Sequence, residues 1–223
     1  MGRDALVLVL VYVYLFGTLG ATEWLRRRRG FPVAVTRKVV HIAAGMCALP
    51  LLLFESRWMA MIPPVSFILI NAVSYWQGTF VSMETGEKRQ LGTIYFPIAF
   101  SVLTWLLWSN QALMVASLMP MTWGDALAAA VGQRWGKHPL GGSSNGRTVE
   151  GSLVFLVSAA IATAIPLALI PGTPFPGWHA VPVALVVAGV TAGVEAVSPW
   201  GTDNLTVPAA ATLVLLAAQA LTG

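Results

Sequence analysis

The stretch from Trp123 to Gly151, WGDALAAAVGQRWGKHPLGGSSNGRTVEG, gathers the side chains best suited to chemistry. Asp125 stands inside an apolar run, between Gly124 and a series of small residues. A Gly- and Ser-rich loop follows, with Arg134, Lys137 and Arg147, and Glu150 opens the next apolar run. Acid, basic glycine loop and acid at one membrane surface suit a phosphorylated, metal-bound ligand. An acid within a membrane helix is expensive and points to function by default. The alternative is an interfacial acid paired with a nearby arginine. Gly124, Ala128 and Gly132 recur every four residues, so one helix face is small and admits another helix or a ligand. Gly136, Gly141, Gly142 and Gly146 permit backbone conformations that aim amides at an anion. Lys137 and Arg147 add charge, and arginine can grip phosphate oxygens in a bidentate way. The spacing is not that of a P-loop, since His138 stands where Ser or Thr is required. A plain basic connector is the competing reading of this loop.

Further candidates lie elsewhere. Arg37, Lys38, His41 and Gly45 fall on or beside one face of a helix. Positive charge at the cytoplasmic membrane edge explains Arg37 and Lys38 but not His41, one turn deeper; it either lines an anion site, helps to position an acid, or is a hydrogen-bonded interior histidine. Glu195 and Asp203 belong to the same surface as Asp125 and Glu150, although Asp203 or Asn204 could simply cap a helix. Several carboxylates near several cations suit Mg²⁺ with a nucleotide, because Mg²⁺ takes few carboxylates and completes its shell with phosphates and water. Lys88 and Arg89, on a mixed-charge connector, can reach a polyphosphate. There is no HExxH motif, no GxSxG elbow and no Rossmann fingerprint.

These residues need apolar elements to position them, and composition supplies them. The 223 residues are 57% hydrophobic and 10% charged, with mean hydropathy +0.74. A soluble domain carries about 25% charged residues. The spans must be helices, because lipid offers the backbone no partners. Eight are expected, near 5–24, 37–54, 58–76, 93–108, 111–131, 150–170, 179–197 and 204–221, within one integral domain over 1–223. Pro63, Pro64, Pro97 and Pro120 should bend or break their helices. The first span is expected to be an uncleaved helix rather than a signal peptide. With the N-terminus outside, 11 of the 13 Lys and Arg fall on inner segments, and only Arg3 and Arg57 fall outside. Both termini are then expected on the outer side, with the polar connections 77–92, 132–149 and 198–203 in the cytoplasm. The net charge of +4 reflects this orientation, and no basic face or aromatic platform suggests nucleic-acid binding. The single Cys47, inside an apolar run, supports neither a disulfide nor a Cys-rich metal site.

Five segments, RKVVHIAAG from Arg37, EKRQLGTIYFP from Glu87, WGDALAAAVGQRWGK from Trp123, RTVEGSL from Arg147, and Glu195 with DNLTVP from Asp203, occur in one order. Together they resemble the phytol kinase and dolichol kinase family of CTP-dependent polyprenol kinases, which is related to the phosphatidate cytidylyltransferases. Arg147 stands where some members have Lys. The resemblance implies transfer of the γ-phosphoryl group of CTP to a membrane isoprenoid alcohol such as phytol, farnesol, geranylgeraniol or a longer polyprenol. On this basis Asp125 and Asp203 would hold Mg²⁺. Lys137, Gly136 and Arg147 would bind the polyphosphate, with Arg37, Lys38 and Lys88 further out. Glu195 or Glu150 would orient or deprotonate the alcohol, with His41 as another candidate. The expected setting is a bacterial or archaeal cytoplasmic membrane, with the site facing the cytoplasm. Two rivals stand beside this reading: a lipid cytidylyltransferase, which would release pyrophosphate, and a small membrane transporter, which would place polar groups at mid-bilayer on broken helices.

Overall fold

The computed structural model describes residues 2–77, 91–141 and 146–222. Among them the regular structure is helical, with one isolated bridge between Pro139 and Thr148. The elements are α1 (Gly2–Arg29), α2 (Val33–Met46) followed by a 3₁₀ turn (Pro50–Leu53), α3 (Arg57–Gln77) and α4 (Gly92–Leu106). There follow α5 (Gln111–Met119), a π-helical turn (Pro120–Asp125), α6 (Ala126–Trp135), α7 (Val149–Leu169), α8 (Ala180–Val197) and α9 (Asp203–Thr222). Seven segments are long and apolar enough to cross a membrane, α5, the π turn and α6 forming one of them. The helix α4, with 15 residues, is a shorter apolar segment. This is an integral membrane protein of about eight apolar helices. The fifth span reaches Trp135 rather than 131, so Asp125 lies ten residues, about 15 Å of helix, from its end.

Of the prolines expected to bend or break their helices, Pro63, Pro64 and Pro97 do not end theirs. Pro63 and Pro64 lie inside α3, and Pro97 lies inside α4. Pro97 lacks the N–H that would bond the carbonyl of Thr93. Asn71 of α3 supplies the missing donor, with Nδ2 2.7 Å from Thr93 O. A side chain from a neighbouring helix thus satisfies backbone that lipid could not. Pro120 instead opens the π turn, a wider coil often found at functional sites.

The chain divides into two compact units, Met1–Leu106 and Leu107–Gly223. In the first, α1 packs on α2 and α3, and α3 packs on α4. Asp4, 4% exposed, accepts from the backbone N–H of Glu55 at 2.8 Å and Ser56 at 3.0 Å, capping the approach to α3. Near that end the Arg57 guanidinium lies 3.9 Å from the centre of the Trp105 ring, with Trp58 edge-on to the same ring.

In the second unit α7 is central, packing on α5, α6 and α8, while α9 packs on α5 and α8. Every residue from Ala112 to Met119 is buried, as befits a helix that is apolar all round. The small face of α6 meets α7 rather than a ligand. A Cβ on Gly132 would lie 3.0 Å from Thr148 Oγ1, and one on Gly151 would lie 3.1 Å from Ala128 O. A Cβ on Gly136 would collide with Gly132 O and Thr148. On the preceding turn, a Cβ on Gly124 would sit 3.0 Å from the ring of Phe155.

Overpacking of this kind costs about 1–3 kcal/mol. Gly136→Ala is therefore expected to lower the thermal unfolding midpoint in detergent by several degrees. Gly141→Ala, where a Cβ meets nothing within 4 Å, should leave it unchanged, and equal midpoints for the two variants would contradict the close seam.

Candidate functional site

Three acids from three elements of the second unit converge. Asp125 ends the π turn, Glu195 lies two residues before the end of α8, and Asp203 begins α9. One carboxylate oxygen from each lies within 4.8 Å of the other two. Glu195 is 5% exposed and Asp203 9%. The Gly132–Thr148 seam fixes α6, and with it Asp125, against α7. The short connection from Ser198 to Thr202 brings the end of α8 and the start of α9 together. Trp200 in that connection has φ +49° and Gly201 has φ +81°. A left-handed backbone at a bulky residue costs about 1–3 kcal/mol and persists only where its surroundings enforce it.

Arg147 ties two of the acids, Glu195 and Asp203, together. Its Nε donates to Glu195 Oε1, its Nη2 to Asp203 Oδ2 at 2.9 Å, and its Nη1 to the carbonyl of Ser198 at 2.7 Å. The side chain is 12% exposed. Sequence reasoning placed Arg147 on a polyphosphate; in the structure this guanidinium is occupied by protein acceptors at the α8–α9 junction. Five fixed donors match two carboxylates and a carbonyl in a way that a lysine ammonium does not. Asp203 also accepts from the N–H of Asn204 at 3.0 Å.

Three amides among the described residues around the basic loop are engaged within the protein. His138 N donates to Glu150 Oε2 at 3.3 Å, Leu140 N donates to Arg147 O at 2.8 Å, and Val149 N donates to His138 O at 2.9 Å. These amides bond within the protein. Gly136 has an ordinary extended backbone and serves close packing, whereas Gly146 has φ +64°. Lys137 is exposed. Gly142 and Lys88 lie outside the described residues. Glu150 pairs with the ring of His138, Nδ1 to Oε1 being 2.7 Å, and does not belong to the acid cluster. In the first unit Arg37, Lys38 and His41 are half-buried on α2, and the His41 ring meets Phe96 edge-on at 4.9 Å.

Two contributors escaped sequence reasoning. Thr148 caps α7, its hydroxyl accepting from Gly151 N at 3.2 Å, and it also fills the space left by Gly132 and Gly136. A threonine before an apolar run is a readable cap signal. The clamp of His138 on Glu150 has no such signal, because the pairing depends on the loop's return path.

Three carboxylates form a hard-oxygen donor set of the kind that suits Mg²⁺. Octahedral bonds of about 2.1 Å put ligand oxygens roughly 3–4 Å apart, within the 4.8 Å that encloses the three oxygens. The residues present therefore fit a divalent cation, with Arg147 holding two of the acids in place.

Removing one partner of a buried ion pair costs about 3–5 kcal/mol. Arg147→Ala should lower the unfolding midpoint sharply, and Arg147→Lys should recover only part of the loss. A wild-type midpoint for Arg147→Ala, read by thermal unfolding in detergent, would contradict the tie described above.

Residues 2–193 match the model of a family described as the Cytidylyltransferase family. The chain is 32% identical to a phytol kinase of Synechocystis sp. over 219 residues, covering 95% of this chain and 91% of that one. It is 26% identical to a probable chloroplastic phytol kinase of Triticum aestivum, over 95% of this chain and 76% of the relative. It is 24% identical to a chloroplastic farnesol kinase of Arabidopsis thaliana, over 68% and 53%. No solved structure matches it. The extent of these matches means that the chain belongs to the phytol kinase and dolichol kinase family within the wider cytidylyltransferase family.

Proposed function

We propose that this protein is a CTP-dependent prenol kinase, transferring the γ-phosphoryl group of CTP to an isoprenoid alcohol at the cytoplasmic face of its membrane. The observation that carries this reading is the convergence of Asp125, Glu195 and Asp203 in a chain whose relatives are named phytol and farnesol kinases. The balance of Lys and Arg supports a cytoplasmic site with both termini outside.

Asp125 and Asp203 would hold Mg²⁺, with Glu195 beside them. Bound Mg²⁺ supplies charge neutralisation for the phosphate oxygens. Arg147 keeps Glu195 and Asp203 in register. Lys137, exposed beyond the end of α6, attracts the triphosphate, and the balance of Lys and Arg assigns Arg37, Lys38 and Lys88 to the same cytoplasmic side, where they would add to the positive field. Glu195, the most buried of the three acids, orients the alcohol hydroxyl and takes its proton as the oxygen bonds to the γ-phosphorus. The bond from that phosphorus to the β–γ bridging oxygen breaks, and CDP leaves. Such transfer depends mainly on positioning and charge. Glu150, clamped to His138, shapes the loop instead of meeting the alcohol.

Purified protein given CTP, Mg²⁺ and a panel of prenols should release CDP and form prenyl phosphate, with activity lost on chelation and restored by Mg²⁺. Asp125→Asn should reduce turnover by about 10²–10³-fold while leaving the unfolding midpoint unchanged; wild-type activity would remove Asp125 from the site. The matching family model also favours nucleotidyl transfer as a second reading. Release of pyrophosphate from CTP in the presence of a lipid phosphate would establish that reaction instead.

A further inference from the structure

The polar end of α1 carries more charge than the fold uses. Residues Ala5 to Thr22 hold no charged side chain, and a helix of that length spans about 27 Å, close to the roughly 30 Å hydrocarbon core of a bilayer. The remainder of α1, Glu23 to Arg29, adds about 10 Å and falls in the headgroup layer. It holds Arg26, Arg27, Arg28 and Arg29 against a single acid. Glu23 engages two of the four: Arg26 Nε donates to its Oε2 at 2.9 Å, and Arg27 Nε donates to its Oε1. Arg28 and Arg29 are exposed, and neither has an ion-pair or hydrogen-bond partner among the described residues. After Glu23 the chain offers no acid until Glu55, which pairs with Arg3 at the opposite end of α1.

Val7, Val11, Leu15, Leu19 and Thr22 form the buried stripe of α1. By the helical period Trp24 and Arg28, one turn apart, fall on the other side. Trp24 is 53% exposed, and a tryptophan on the outside of a span marks the membrane interface. One turn rises about 5 Å, so Arg28 stands at the depth of lipid phosphate when Trp24 sits at the boundary. Gly30, with φ +67°, turns the chain, and Phe31, 44% exposed, follows at once. We infer that this end of α1 is a docking site for an anionic phospholipid, whose phosphate is gripped by Arg28 and Arg29 while its chains descend past Trp24. Guanidinium forks hold phosphate oxygens through charge-assisted bonds. A zwitterionic lipid brings its own cation to the same place and gains less. Helix orientation requires only positive charge at this end; two exposed arginines without a protein partner also leave donors for a ligand in the finished fold. The inference is independent of the reaction the protein catalyses.

The test is native mass spectrometry of the full chain in detergent micelles, titrated with phosphatidylglycerol or with phosphatidylcholine of identical acyl chains. The first phosphatidylglycerol should bind about tenfold more tightly than the first phosphatidylcholine, a comparison that requires no variant to fold. The double variant Arg28→Gln/Arg29→Gln should bring the two lipids within about twofold of each other. Its unfolding midpoint in the same detergent should match that of the unaltered protein, because both side chains are exposed. Arg3→Gln, at the opposite end of α1, should keep the preference. Equal affinity of the two lipids for the unaltered protein overturns the proposal. So does a preference that survives the loss of both arginines, or one that Arg3→Gln removes just as well. Displacement of phosphatidylglycerol by an equal concentration of glycerol 3-phosphate would make this a soluble-anion site and would overturn the lipid assignment too.

Discussion

One buried guanidinium organises the polar part of the second unit. Arg147 is held by Glu195 from α8, Asp203 from α9 and the carbonyl of Ser198 between them. Carboxylates this poorly exposed repel one another and resist dehydration. A planar donor fork offsets both effects in a single side chain. Without it the end of α8 and the start of α9 would have no reason to present their acids to the same point. The left-handed backbone at Trp200 and Gly201 is the local distortion that lets the chain turn there.

Asp125 reaches the same point by a different route. Its helix lies close to α7 because Gly132, Gly136 and Gly151 lack side chains where Thr148 and backbone atoms intrude. Thr148 also caps α7, so the residue next to Arg147 sets the start of the helix and the spacing of the seam. The π turn from Pro120 to Asp125 widens the coil just before the acid. Packing and chemistry here share residues, and few of them tolerate a larger side chain.

The first unit follows the rule that lipid imposes on backbone. Asp4 caps the approach to α3, and Asn71 supplies the donor that Pro97 leaves wanting. Both polar side chains are nearly inaccessible and each acts on backbone far away in sequence.

The sequence alone determined the helical class, the number of apolar segments and most of their limits, because a membrane span must be long, apolar and internally hydrogen-bonded. It also marked Asp125, Glu195 and Asp203, since acids are costly beside lipid and stand out there. Tertiary structure decided which charges meet. Nothing in the spacing of Arg147 reveals that its fork closes on two acids and a carbonyl roughly fifty residues away, or that Glu150 turns to His138 instead of joining the cluster. Nor does a glycine every four residues say whether the small face receives a ligand or a helix. Ion pairing and close approach depend on how elements fold back on one another, and periodicity along the chain carries no record of that.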